Sequence, residues 1–306
     1  MKKILTIIAA LMLALPVFAQ QRTAEEYLQR YNMLSGRLGV DGVGIETLIQ
    51  NWEKDFPEDE NMLMAKWTYY LSKSVSTEIV TMDKEKYLGN APVVTLKDSL
   101  GNNVNYFQRN VFDDDMFAEA SQALDQAIKI NPLNLKYRVE KITALIIYEG
   151  DSPDMASSAV RSLIDYHYTS KPQWTYDAEP VTQTDFEEAI QDFCYSFFQM
   201  GSPTGYEAFR ATAQKMIDYK SKNIAFQNDM GSYCQVVTQD YKQALKYYGK
   251  VLKAQPDDYT AIKNSVLIAR KQKNVKNEKK YLAMLAQYSP DEIERSSAKV
   301  RLQSLK

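Results

Sequence analysis

The chain has 306 residues, a net charge of −2 and a single histidine. That length can bury a large core in one or two domains. The lone imidazole excludes any site that needs two, and the near-zero total singles out no class of partner. The charge is unevenly placed, however. Residues 263–306 hold eleven Lys/Arg against four Asp/Glu, a net of +7; with Lys2 and Lys3 also removed from the total, residues 20–262 carry −11.

The chain opens with Met1-Lys2-Lys3, an apolar run from Ile4 to Leu15, and Pro16-Val17-Phe18-Ala19. These are the charged, apolar and cleavage regions of a secretory signal peptide over residues 1–19. The run is short of the roughly 20 residues that span a bilayer. No cysteine lies near the expected cut, so no lipid anchor is expected, and no later segment is apolar enough to span. The expected mature chain, 20–306, works in the periplasm or is secreted.

Farther on, Ile45, Ile49 and Trp52 fall on one helical stripe closed by Pro57. An excess of chain over about 77–113 then contains "APVVTLKDSLGNNVNYFQ". Val94 and Leu96 alternate with Thr95 and Lys97, and Val104 and Tyr106 with Asn103 and Asn105, around the turn residues Asp98–Asn102. This predicts a β-hairpin at about 92–107 that needs the helices to lie against. "FAEASQALDQAIKINP" follows, with Phe117, Ala120, Leu124, Ala127 and Ile128 on a stripe ended by Pro132. A second irregular stretch, about 168–184, has two prolines and several aromatics, the usual mark of a functional or mobile segment. Helices are predicted over 185–200, 203–219 and 223–238. In "YKQALKYYGKVLKAQP", Tyr241, Ala244, Tyr248, Val251, Leu252 and Pro256 repeat every interval of the 117–132 stripe. Pro290 lies 34 residues beyond Pro256. Ser289-Pro290-Asp291-Glu292 reads as a capping box starting a closing helix.

The 34-residue period, with alanine, a bulky residue four later and proline eight after that, resembles the tetratricopeptide repeat (TPR). The match is strongest over 223–290, and the repeats are degenerate: Gly231-Ser232, Val266, Val275 and Glu278 depart from the pattern. Together with the leader and "NWEKDFPEDENMLMAKWTYYLSKS", the chain is similar to secreted repeat proteins of Bacteroidota, a resemblance that implies no particular activity. It implies an all-α, right-handed solenoid of TPR-like helix pairs over 20–306, interrupted at about 77–113 and 168–184.

Catalytic motifs fail on context. "GDSP" at 150–153 has no downstream Asp-x-x-His, so Ser152 reads as a helix cap. "DGVG" at 41–44 follows no strand. Asp113–Asp115 lacks the rest of a calcium loop and suits a helix N-terminus. Adjacent Glu187 and Glu188 diverge by about 100° on a helix. The expectation is a non-enzyme without cofactor or metal. Cys194 and Cys234 have no zinc spacing; they read either as a disulfide or as two buried thiols.

What remains is binding of a protein or peptide partner, acidic by the charge of the C-terminal end, with no nucleic acid. The resemblance implies that Thr260, Lys263, Leu267, Arg270 and Lys271 face a concave groove, with Lys273, Lys276, Lys279 and Lys280 nearby. The alternative is a carbohydrate or small ligand stacking on Trp174 and Tyr176 in the aromatic loop. The oligomeric state has no signature.

Overall fold

The computed structural model describes residues 22–305. The leader expected over 1–19 lies outside the described residues. Thirteen helices and five strands occur among them. The helices are α1 (Ala24–Leu38), α2 (Ile45–Asp55), α3 (Glu60–Ser74), α4 (Asp114–Ile130), α5 (Leu135–Glu149), α6 (Asp154–Ser170), α7 (Gln183–Gln199), α8 (Pro203–Asp218), α9 (Ala225–Val236), α10 (Tyr241–Ala254), α11 (Tyr259–Lys271), α12 (Val275–Tyr288) and α13 (Glu292–Ser304). The strands are β1 (Val75–Met82), β2 (Val94–Lys97), β3 (Asn103–Phe112), β4 (Thr175–Tyr176) and β5 (Glu179–Pro180). None of the described helices is long and apolar enough to cross a membrane. The chain folds into two compact units. One joins the chain up to Val75 with Asp113–Ile130, and the other joins Ser76–Phe112 with the chain from Asn131 on.

In the first unit α1 packs on α2, α2 on α3 and α3 on α4. Trp52 is fully buried. Its Nε1 donates to Asp59 Oδ2 at 2.9 Å, while Asp59 Oδ1 accepts the Asn61 amide at 2.9 Å and so caps α3. Tyr27 lies parallel to the indole at 5.8 Å and donates its hydroxyl to Asp55 at 2.7 Å. One buried aromatic thus ties three helices, with both polar tips satisfied. The 117–128 stripe is core: Ala120, Leu124 and Ala127 are fully buried. Asp113 begins α4 as a cap, its Oδ1 accepting from the Met116 amide at 3.0 Å.

The sheet leaves the helical chain between α3 and α4. The hairpin expected at 92–107 is there, with Val94 opposite Tyr106 and Leu96 opposite Val104. It is, however, part of a three-stranded sheet in the order β1-β3-β2. The missing strand β1 continues straight out of α3 at Val75, and no Gly or Pro marks the change from helix to strand. The segment 168–184 is not irregular throughout. It contains the short antiparallel ladder β4–β5, turned at Asp177 and Ala178, both at positive φ.

In the second unit α5 packs on α6, and from α7 to α13 each helix packs on the next; α6 packs on α8, and α5 touches α7. The repeat stripe again supplies the core. Ala244, Tyr248 and Val251 are fully buried with Ala261 and Ile268, and a second cluster joins Ile262, Val266, Leu282, Leu285 and Ala298. A fully buried aliphatic or aromatic side chain contributes about 1.5–3 kcal/mol, so these stripes hold the helix pairs together. Gly231 lets α9 rest on the face of Tyr248, whose Cε1 would stand 2.4 Å from an added Cβ.

Two caps differ from expectation. Ser289 is the C-cap of α12, and α13 is capped by Asp291, whose Oδ1 accepts from the Ile293 and Glu294 amides. At α6 the cap position falls to Pro153, and Ser152 does no capping. The Glu149 carboxylate reaches across instead, accepting from the Met155 and Ala156 amides at 2.7 and 2.8 Å.

Candidate binding site

The groove residues predicted on α11 do share one exposed face: Thr260, Lys263, Leu267, Arg270 and Lys271 are all open to solvent. Only part of their charge is available. Lys263 pairs with Glu294 at 3.2 Å and also donates to the Tyr259 hydroxyl. Lys271 lies over the Tyr241 ring at 5.3 Å. Arg270 Nε donates to Glu278 Oε1 at 3.1 Å, and Arg301 Nε reaches the same oxygen at 3.0 Å. Glu278 stands one 34-residue period after Ala244 and is equally enclosed, at 3% exposure. The Arg301 hydrogen bond, helped by Arg270, outweighs burial and holds this carboxyl below the usual glutamate range. Arg270, Arg301, Lys273 and Ser297 line a hollow of about 550 Å³ beside it.

The aromatic loop is folded down. Trp174 is 3% exposed. Its Nε1 donates to His167 Nδ1 at 3.0 Å, and the Arg138 guanidinium lies over its ring at 5.5 Å. Tyr176 remains exposed, with the Lys136 ammonium 6.0 Å from its ring. Lys136 also pairs with Asp177 at 2.8 Å. Trp174 therefore offers no stacking face to a ligand, and the carbohydrate reading loses its main platform.

The one histidine is fully engaged. His167 stacks on Phe186 at 3.7 Å, accepts from Trp174 at Nδ1 and faces Gln183 Oε1 at 2.9 Å from Nε2. Burial pushes its pKa down, which favours the neutral ring with its proton on Nε2. Beside it, Glu187 Oε1 accepts from the Tyr168 hydroxyl, Gln183 and Ser221. Tyr168 is stacked on Tyr219 at 4.6 Å, and burial, then the charge of Glu187, push its pKa up to about 12. This cluster locks α6 to α7 and to the α8–α9 connection.

Cys194 and Cys234 are buried free thiols, not a disulfide. Burial raises both thiols, and the Cys194 thiol is hydrogen-bonded to Asp229. Gln191 Nε2 donates to both Asp229 oxygens, at 3.0 and 2.9 Å. Burial pushes the Asp229 pKa up to about 7 against these hydrogen bonds. Among the described residues no group of three His, Cys, Asp or Glu is placed to hold a metal ion.

A larger feature was not foreseen. A cleft of about 1060 Å³ runs within the second unit, between the far half of β3 and the C-terminal ends of α5 and α7. The turn Tyr87–Asn90 roofs one end. Its two backbone hydrogen bonds join Tyr87 and Asn90 at 3.0 and 2.9 Å, with Leu88 and Gly89 at positive φ. Gly89 rests on α7, where an added Cβ would lie 2.5 Å from Gln199 Oε1. Apolar surface in the wall comes from Val93, Val111, Ile147 and Tyr195, the last 63% exposed. Carboxamides come from Gln108, Asn110 and Gln199. The three charged side chains in the wall each have a partner: Arg109 pairs with Glu78, Asp151 with Lys84 at 3.3 Å, and Glu149 caps α6. The sequence signal that existed was the excess of chain at 77–113. It marked an insertion and did not say where it would lie.

A scan against protein-family models and a search of curated proteins find no match to this chain.

Proposed function

We propose that the protein is a non-enzymatic, TPR-like helical-repeat scaffold that works outside the cytoplasm and holds a protein or peptide partner. The 34-residue spacing, the buried alanine and bulky positions of the stripes, and the packing of each helix on the next from α7 to α13 support the right-handed solenoid reading. The sheet inserted at 76–112 is then an added module on one pair of a secreted repeat protein of the Bacteroidota type.

The observation that carries the binding reading is the chemistry of the cleft. Its walls join exposed apolar groups to the carboxamides of Gln108, Asn110 and Gln199, and every charge in them is already answered within the fold. Such a surface suits an uncharged chain that needs both apolar contact and hydrogen bonds. The exposed cations of α11 are a second, weaker patch, suited to acidic residues of the same partner.

The test is capture from cell-envelope extract on immobilised residues 20–306, beside two variants. Ile147→Asp with Tyr195→Ala places a charge and a void in the cleft. Arg270→Glu with Lys271→Glu reverses the basic face. A protein retained by wild type and by the second variant but lost with the first supports the cleft. Loss with the second variant alone moves the site to α11. Equal retention by all three, or by none, overturns the proposal.

A further inference from the structure

We propose that the open edge of β3 at Gln108–Asn110 is a strand-addition site, which takes an extended, uncharged peptide segment of a partner protein. This rests on the peptide-binding reading of the cleft and states how the peptide would be held.

β3 has ten residues and β2 only four. Their ladder pairs Asn103 through Tyr106 of β3 and ends there. β3 is the central strand, with β1 on its other side, so beyond Tyr106 no strand among the described residues pairs with it on the β2 side. Backbone N–H and C=O groups alternate in direction along a strand. The Tyr106 carbonyl accepts from the Val93 amide at 2.8 Å and so points to the β2 side. The Val111 carbonyl accepts from Ser76 Oγ of β1 and so points the other way. Gln108 and Asn110 share the parity of Tyr106, and their backbone groups face where β2 would have continued. Both residues line the cleft.

An unpaired strand edge is a template for another backbone, and only a backbone supplies donors and acceptors at its spacing. Ile147, Tyr195 and Val93 would meet alternate side chains of the added strand. The paired state of Arg109, Asp151 and Glu149 leaves no charge in the wall for a charged segment to answer. About three or four residues at about 3.3 Å each would run past this edge.

The test starts from a phage-displayed random library of short peptides, panned on residues 20–306 and depleted on the Ile147→Asp, Tyr195→Ala variant. The expected winners are uncharged, with apolar residues at every second position. N-methylation of alternate backbone nitrogens in a synthetic winner should weaken binding by about tenfold per blocked donor, with the intervening nitrogens indifferent. Asn110→Pro removes an N–H that the β1 ladder does not use; it should keep the circular dichroism of wild type and lose the same factor. Should that variant misfold, the N-methyl scan on wild type decides. Peptides that bind yet tolerate N-methylation everywhere, or that show helical spacing, overturn strand addition and leave the peptide-binding reading standing. Failure to enrich any peptide that depends on Ile147 and Tyr195 overturns both.

Discussion

Gly231 shows how a single hydrogen decides a helix contact. Its departure from the repeat pattern is visible in sequence, but the reason is the Tyr248 ring pressed on its Cα. Gly231→Ala should raise helix propensity locally and still destabilise the protein by about 1–3 kcal/mol, because the buried ring has nowhere to move. Urea denaturation checks this; a neutral or stabilising result would mean that α9 and α10 can shift apart. Asp229 makes a prediction in pH. Its carboxyl stands at about 7 in the fold against an ordinary 3.8. The folded state therefore holds a proton that the unfolded chain releases. Stability from this group is full below about pH 4 and is lost as pH rises to about 7 and beyond, by up to about 4 kcal/mol. Asp229→Asn should remove that decline, so that its stability exceeds that of wild type at pH 8 and approaches it at pH 4. Melting curves across this range read the difference. Glu278 has the opposite sign: its depressed carboxyl contributes above the ordinary glutamate range and is lost on acidification.

At the scale of the element, caps and stripes set where helices begin and which face they bury. Asp258 is a cap that also joins two helices. Its Oδ1 accepts the Ala261 amide at 2.7 Å and the Asn228 side chain at 3.1 Å, so one carboxylate starts α11 and ties it to α9. Asp258→Ala should cost about 1–2 kcal/mol for the cap and roughly 1 kcal/mol more for the orphaned, buried Asn228 amide. Chemical denaturation measures the sum, and a loss no larger than that of an isolated cap would show that the α9 link is idle. Asp113 at the start of α4 was readable in sequence because capping is local, whereas Asp291 took the place expected of Ser289. Glu149 was not, since it caps α6 from the end of α5 and depends on how those two helices meet.

At the scale of the whole molecule, the chain leaves the first unit at Val75 and returns at Asp113, and the Asp113 amide donates to the Ser74 carbonyl at 2.8 Å. The ends of the insertion are thus adjacent. Replacing residues 76–112 by a short Gly/Ser linker should preserve the α3–α4 pair and raise the helical signal per residue. It should also abolish binding at the cleft, since β3 and the Tyr87–Asn90 turn go with it. Circular dichroism and the peptide-binding assay check the two halves separately. Loss of helical signal would show that the sheet is part of the helical core and not an insertion.

What was legible in the residues is what short-range periodicity encodes. The stripes at 117–128 and 241–252 and the hairpin at about 92–107 follow from spacing of three and four or of two, and each is seen in place with its proline stop or its turn. The five residues of α11 were placed together by the repeat resemblance, and all five are exposed. The candidate site lay beyond such signals. Trp174 and Tyr176 are two residues apart and similar in kind, yet one is enclosed and the other open, because His167 and Arg138 arrive from different helices to cover the first. Strand β1 hides behind a helix with no break in composition, and the cleft forms only where β3 outruns β2 beside the ends of α5 and α7. Local pattern assigns a residue to a face; which faces are then covered is settled by long-range packing, where apolar area and unpaired backbone groups seek partners far away in sequence.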